Sequence, residues 1–254
     1  MQATRLPRLH VITDTRGPVA AHGADPIAVQ SDALLAVTPA VFQAGDPLAA
    51  GLSQASSAVS TPPRDPIAVV SAALAAGARL IQVRPEDHYT DRAALDLAAA
   101  IAALCDSHGA LCLVNDRVHI AQAVGAHGVH LGADDLPVDV ARRLLPADSI
   151  IGGTCREPES ARAARRAGAT YLGVGPVWGT TTKAGLPQPI GLEGLAAVCE
   201  AVDLPVIAIG GITAERAAWC REAGAYGVAV VGAIAAAADP FQATVELLEA
   251  VGER

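Results

Sequence analysis

Aromatic side chains make up only 3% of this chain, so a core has to be assembled from Ala, Val, Leu and Ile. No basic cluster appears and the net charge is −8, which argues against nucleic acid or an anionic membrane as partner. A polyanionic ligand would then have to be held by individual Arg or Lys side chains, backbone N–H groups or a metal. The five cysteines lack any Cys-x-x-Cys spacing and read as reduced thiols of a cytosolic protein. No apolar run of about eighteen residues, free of charge and glycine, suggests a membrane span. The first residues lack the apolar core and small-residue cleavage site of a signal peptide. The expectation is a cytoplasmic protein that meets neither membrane nor nucleic acid. Charged residues are few as well, at 17% against 52% apolar, which excludes global disorder.

What is present is a regular alternation. Short apolar runs bounded by Gly and polar residues suit parallel strands buried on both faces, and they fall at 9–13, 80–84, 111–114, 128–131, 150–153, 171–175, 205–209 and 227–231. Helical segments follow at 66–76, 91–108, 118–124, 138–144, 157–167, 192–201, 214–223 and 240–251, with Thr90 placed to cap the second. Ala-Gly-Ala recurs before strands at Gly77, Gly168 and Gly224, each placed as a helix C-cap. Alternation of this kind implies a parallel sheet, and eight units imply an α/β fold closed into a (β/α)8 TIM barrel formed by a single domain over residues 1–254. The open doubly wound alternative lacks a Gly-x-Gly-x-x-Gly after the first strand.

Residues 17–63 break the pattern. This low-complexity insertion within the barrel is rich in Ala, Gly, Pro, Ser and Gln, and much of it is expected to be mobile. Residues 25–37 match 65–77 at nine of thirteen positions, which points to a local duplication; the second copy is the better core helix and the first a spare on the surface.

The chemistry is expected where strands end, since the carboxyl-end rim of an α/β barrel carries the site. The third and fourth strands deliver Asp116 and the pair Asp134/Asp135 to that rim. Hard carboxylate oxygens from neighbouring strands suit Mg²⁺ that keeps waters and takes a substrate phosphate; capping a helix or turning a loop is the plainer use of such residues. Gln82 and Arg84 share one face of the second strand by its period of two. Thr180, Thr182 and Lys183 form a donor cluster suited to a diphosphate. Glycines at Gly210-Gly211 and Gly232, after the last two strands, let backbone N–H groups approach an anion, or serve only as tight turns. His119, His127 and His130 sit on separate elements and read as structural or exposed. Arg117 is expected to pair with a carboxylate near Asp116, and Trp178 either to shield a substrate ring or to cover the barrel edge.

Taken together, residues 9–14, Gln82-Val83-Arg84, Asn115-Asp116-Arg117, His130-Leu131-Gly132 with Asp135, Gly173 to Pro176, Thr180 to Lys183 and Ile209 to Thr213 resemble the thiamine phosphate synthase family, in its order and over nearly everything outside the insertion. The resemblance implies a Mg²⁺-dependent transferase that joins 4-amino-5-hydroxymethyl-2-methylpyrimidine diphosphate to a thiazole phosphate, releasing pyrophosphate. It implies Asp116 and Asp135 as Mg²⁺ ligands and Arg84, Asn115 and Lys183 as catalytic residues. Gln82 and Arg84 would bind the pyrimidine diphosphate, Thr180 and Thr182 the thiazole phosphate, and Gly211, Val231 and Gly232 its phosphate; Thr154 adds a hydroxyl. Small-molecule substrates are the implied partners, with a homo-oligomer open. Three positions depart from the family's pattern: Glu86 where it has Lys, Thr154 where it has Ser, and Gly232 where it has Ser. Glu86 is therefore expected to turn away from the diphosphate or to weaken its binding. A related thiazole tautomerase, which tends to lack the Asp pair, and a non-catalytic phosphate-ligand-binding barrel are the other readings.

Overall fold

A computed structural model of the chain describes residues 6–17, 64–182 and 185–253. The expectations about the insertion from residue 18 to 63 and about Lys183 thus lie outside the described residues. The elements run β1 (Leu9–Ile12), α1 (Pro66–Ala75), β2 (Leu80–Val83), α2 (Asp91–Ser107), β3 (Leu111–Asn115), α3 (Val118–Ala123), β4 (Gly128–Leu131) and α4 (Val138–Leu144). They continue with β5 (Ile150–Cys155), α5 (Pro158–Arg166), β6 (Tyr171–Val174), α6 (Gly191–Ala201), β7 (Val206–Ile209), α7 (Ala214–Glu222), β8 (Gly227–Val230), α8 (Gly232–Ala235) and α9 (Pro240–Val251). The strands close in sequence order into one parallel barrel, β8 pairing with β1 through Leu9↔Val228. Every expected element is present with ends shifted by two residues at most. The short helix α8, directly after β8, is the one that the sequence did not announce.

Local chemistry explains the ends. Thr90 accepts from the Ala93 amide at 3.2 Å and so caps α2 as expected. After α1, Gly77 donates to Leu74 and Ala78 to Ala73; the same two bonds follow α5 at Gly168 and Ala169, and α7 at Gly224 and Ala225. These are Schellman closures, and each turns the chain straight into the next strand.

The scarcity of aromatics is repaid in packing. Ala73, Ala94, Ala98, Ala141, Ala161 and Ala217 are fully buried where helices lie on the sheet, so small side chains bring the two layers close. Inside the barrel a second cluster of Ile12, Leu80, Leu113, Tyr171, Ile207 and Ala229 fills the lower part and leaves the carboxyl-end mouth open. All five cysteines are free thiols, four of them buried. Among the described residues no helix is long and apolar enough to cross a membrane.

Candidate active site

A cavity of about 220 Å³ occupies the mouth. Gln82, Arg84, Asn115, Asp116, Thr154, Thr180, Thr182, Gly211, Val231 and Gly232, ten positions singled out in the sequence, all line it. Period two carries Gln82 inward on β2, where its Nε2 donates to Asn115 Oδ1 on β3 at 2.8 Å. The bond fixes both amides side by side in the wall and leaves the Gln82 carbonyl and the Asn115 amino group for a ligand.

Arg84 lines the cavity and Glu86 is not among the lining residues. Glu86 accepts from Arg84 at 2.7 and 3.3 Å, a fork-to-fork pair with both side chains mostly buried. Thr13 and Thr15, just past β1, hold this corner: Thr13 Oγ1 accepts from the Arg84 amide, and Thr15 Oγ1 donates to the Arg84 carbonyl while accepting from the Glu86 amide. Beside it Arg16 pairs with Asp14 and donates to the Thr181 carbonyl, linking the β1 loop to the loop after β6. The Arg16 hydrogen bond holds the Asp14 carboxyl below its usual range against the opposing effect of burial.

Of the two acidic residues, Asp116 lines the cavity and Asp135 is not among the lining residues. Asn115 is paired with His130, so Asp116 stands just past β3 beside the end of β4, and its amide donates to the His130 carbonyl at 2.8 Å. Its φ of 62° is the left-handed conformation, adopted by no other non-glycine residue among those described, and it sets the side chain at the cavity wall. Asp135 accepts from the Gly132 amide at 2.7 Å, which folds the β4 loop back and brings its carboxylate to the same strand end. Among the described residues no group of three or more His, Cys, Asp or Glu is arranged to hold a metal. The Asp116 carboxylate at the cavity wall is a hard oxygen donor of the kind that suits a cation retaining waters and taking phosphate oxygens.

Sequence reasoning passed over the floor. His10, Tyr171 and His130 point into the barrel: His130 Nδ1 lies 2.9 Å from the Tyr171 hydroxyl and its Nε2 3.0 Å from Thr154 Oγ1, while the His10 and Tyr171 rings meet edge to face. Period-two placement on β1, β4 and β6 was the available signal, and His130 had been set aside as structural or exposed. Burial, with the nearby His130 next, lowers the His10 pKa to about 3, although the Pro7 carbonyl that its Nε2 faces works the other way. The folded state therefore holds His10 neutral where the unfolded chain protonates it from about pH 6.5 downward. Stability from this group is full above that pH and falls as pH drops toward the folded value. Between pH 6.5 and 5 the expected loss is about 2 kcal/mol. Denaturant midpoints should fall across that window, and His10→Gln should flatten the fall; an unchanged slope in the variant would count against the assignment.

Two other expectations become specific. Arg117 finds its carboxylate on α2, donating to Asp91 at 3.0 Å and to the Tyr89 carbonyl at 2.8 Å. Trp178 is not among the cavity-lining residues; it covers the outer edge, with the Arg216 guanidinium 4.8 Å from its ring centre. Beyond it, Thr180 and Thr182 share a hydroxyl–hydroxyl contact of 2.9 Å at the cavity wall. Opposite, β7 ends in Gly210 and Gly211 with φ of 97° and 66°, and a Cβ on Gly210 would stand 2.6 Å from Pro176 Cα. Only glycine fits so close a backbone approach. After β8, Ile234 and Ala235 donate to the Val231 carbonyl; as the first amides of α8, Gly232 and Ala233 have no acceptor within the helix.

A closed eight-stranded barrel with glycine turns after β7 and β8, a short extra helix and a polar cavity at its carboxyl end has the architecture of the α/β-barrel enzymes that bind phosphate at this end. Comparison with known proteins narrows the class. The family described as thiamine monophosphate synthase matches residues 56–234. The thiamine-phosphate synthase of Salinispora arenicola is 55% identical over 192 residues, 75% of this chain and 92% of the relative. That of Natronomonas pharaonis is 45% identical over 185 residues, 72% of this chain and 86% of the relative. Among solved structures, thiamine phosphate pyrophosphorylase from Pyrococcus furiosus superposes with a TM-score of 0.72 at 31% identity, covering 97% of this chain and 96% of that one. The chain belongs to the thiamine monophosphate synthase family.

Proposed function

We propose that this transferase joins 4-amino-5-hydroxymethyl-2-methylpyrimidine diphosphate to a thiazole phosphate, giving thiamine phosphate and pyrophosphate. The observation that carries the reading is the convergence of Gln82, Arg84, Asn115, Asp116, Thr180, Thr182 and the Gly211 turn on one cavity of a chain in this family. Gln82 and Asn115 orient the pyrimidine and its diphosphate. Thr180, Thr182 and Lys183 meet the departing diphosphate and the incoming thiazole, and the amides near Gly211, Val231 and Gly232 take the thiazole's phosphate. The methylene–oxygen bond breaks with its electron pair leaving on the diphosphate, and the thiazole nitrogen lone pair forms the new carbon–nitrogen bond, so no proton need be gained or lost. Such a step asks for stabilisation of negative charge on the leaving group more than for a base. Asp116 at the cavity wall and Asp135 in the loop just past β4, both hard donors, would hold Mg²⁺, which supplies that charge neutralisation when bound.

Mixing the two substrates with Mg²⁺ and measuring pyrophosphate tests the reading. Isomerisation of the thiazole alone without metal would favour a tautomerase, and ligand binding without turnover a non-catalytic barrel. The Arg84–Glu86 pair has a kinetic consequence. Glu86 occupies the fork that would otherwise meet the diphosphate, and its carboxylate repels that anion. Glu86→Gln should therefore lower KM for the pyrimidine diphosphate by roughly three- to tenfold, with little change in kcat. A KM that stays put or rises would show that Glu86 supports the productive position of Arg84.

A further inference from the structure

Arg216 is an unexpected cation. It occupies the third position of α7, one turn past the Thr213 cap, where the helix field disfavours positive charge. Among the described residues it forms no ion pair, unlike Arg84, Arg117 or Arg165. Two contacts hold it. Its Nη1 donates to the Gly211 carbonyl at 2.6 Å, and its guanidinium lies over Trp178 with the carbon 4.8 Å from the ring centre. Trp178 in turn donates its backbone amide to the Gly210 carbonyl at 3.1 Å.

Both carbonyls of the glycine turn are thus tied down, one by Trp178 and one by Arg216. A trans peptide is planar and carries its N–H opposite its C=O. Tethering the Gly210 and Gly211 carbonyls therefore directs the Gly211 and Ile212 amides the other way, and both residues line the cavity. Neither glycine resists rotation by itself, so a turn without the tether would flip its peptides easily.

We propose that Arg216 is a positioning residue for phosphate recognition: it pins the Gly211–Ile212 peptide so that its amide faces the phosphate of the thiazole substrate, and it places a positive charge behind the turn. It touches no substrate and acts through the backbone. The proposal rests on the transferase reading above.

The test is steady-state kinetics of Arg216→Ala and Arg216→Lys with each substrate varied in turn, alongside inhibition by inorganic phosphate. Arg216→Ala should raise KM for the thiazole phosphate about tenfold and weaken phosphate inhibition in parallel, while kcat and the KM of the pyrimidine diphosphate stay within about twofold. Arg216→Lys, which keeps the charge and can reach the carbonyl, should recover most of the loss. The proposal is overturned if both KM values rise together, if kcat alone falls, or if neither variant moves the thiazole KM. A wild-type protein that releases no pyrophosphate would fail the transferase reading instead; phosphate binding followed by calorimetry on the same variants would then still decide whether Arg216 orders the turn.

Discussion

Asp116→Asn should leave the barrel folded and lower pyrophosphate release about a thousandfold, the order expected when one preorganised electrostatic partner is removed from a developing charge. Asparagine is the informative replacement because Asp116 is left-handed, with φ of 62°. Asn tolerates that conformation nearly as well as Asp, whereas Ala would add roughly 1–2 kcal/mol of backbone strain and blur the result. The amide of residue 116 still donates to the His130 carbonyl in the variant, so the β3–β4 corner keeps its shape. What disappears is one negative charge at the cavity wall, and with it the grip on a divalent cation that the proposed function assigns to this carboxylate. Activity should become correspondingly insensitive to added Mg²⁺. Asp135→Asn should cost less, about ten- to a hundredfold, because its side-chain oxygen can go on accepting from Gly132. The measurement is single-turnover pyrophosphate release across a Mg²⁺ titration, with thermal midpoints as control. Turnover within tenfold of wild type would remove Asp116 from the metal site.

The barrel was legible in the sequence because closure of this fold is written in periodicity. Eight short apolar runs, each followed by a helical segment, admit few other architectures, and the Ala-Gly-Ala stops mark where one element hands over to the next. The rim was legible for the same reason: a residue at a strand's carboxyl end lands in the mouth whatever else happens. Thus Gln82, Asn115, Asp116 and Thr180 reach the same cavity though they are far apart along the chain. Pairing was much less visible. Nothing in the run Val83-Arg84-Pro85-Glu86 says that the two charges fold onto each other, since that depends on Thr13 and Thr15 arriving from β1 to hold the backbone. The interior was legible as apolar but not as polar. His10 and Tyr171 sit within hydrophobic runs and look like core, and only the barrel's closure brings β1, β4 and β6 around a common centre. Helix α8 was hidden because four residues are too few to show a period.

That polar centre implies a large effect from a small substitution. Gly152 on β5 faces the His130 ring and the Tyr171 phenol, and a Cβ there would stand 2.2 Å from Tyr171 Cζ and 2.4 Å from His130 Nδ1. Gly173, across the ladder on β6, clears the other side of the same imidazole, with His130 Cε1 2.7 Å from where its Cβ would be. The two glycines are the room that His130 occupies, and Tyr171 is fully buried against the opposite wall beside His10. No ring can yield without meeting a strand, so Gly152→Ala belongs with overpacked cores, at about 3 kcal/mol or more. For a domain of this size that is a fall in Tm of roughly 6–12 °C. The steric cause can be told from a backbone one. Tyr171→Leu removes the atoms nearest the new methyl, so the double variant should be more stable than the sum of the two single losses. Strict additivity would assign the loss to the β5 backbone. Activity should separate the two as well: a methyl that displaces His130 from Thr154 disturbs the cavity floor, so pyrophosphate release should fall below what the remaining folded fraction accounts for.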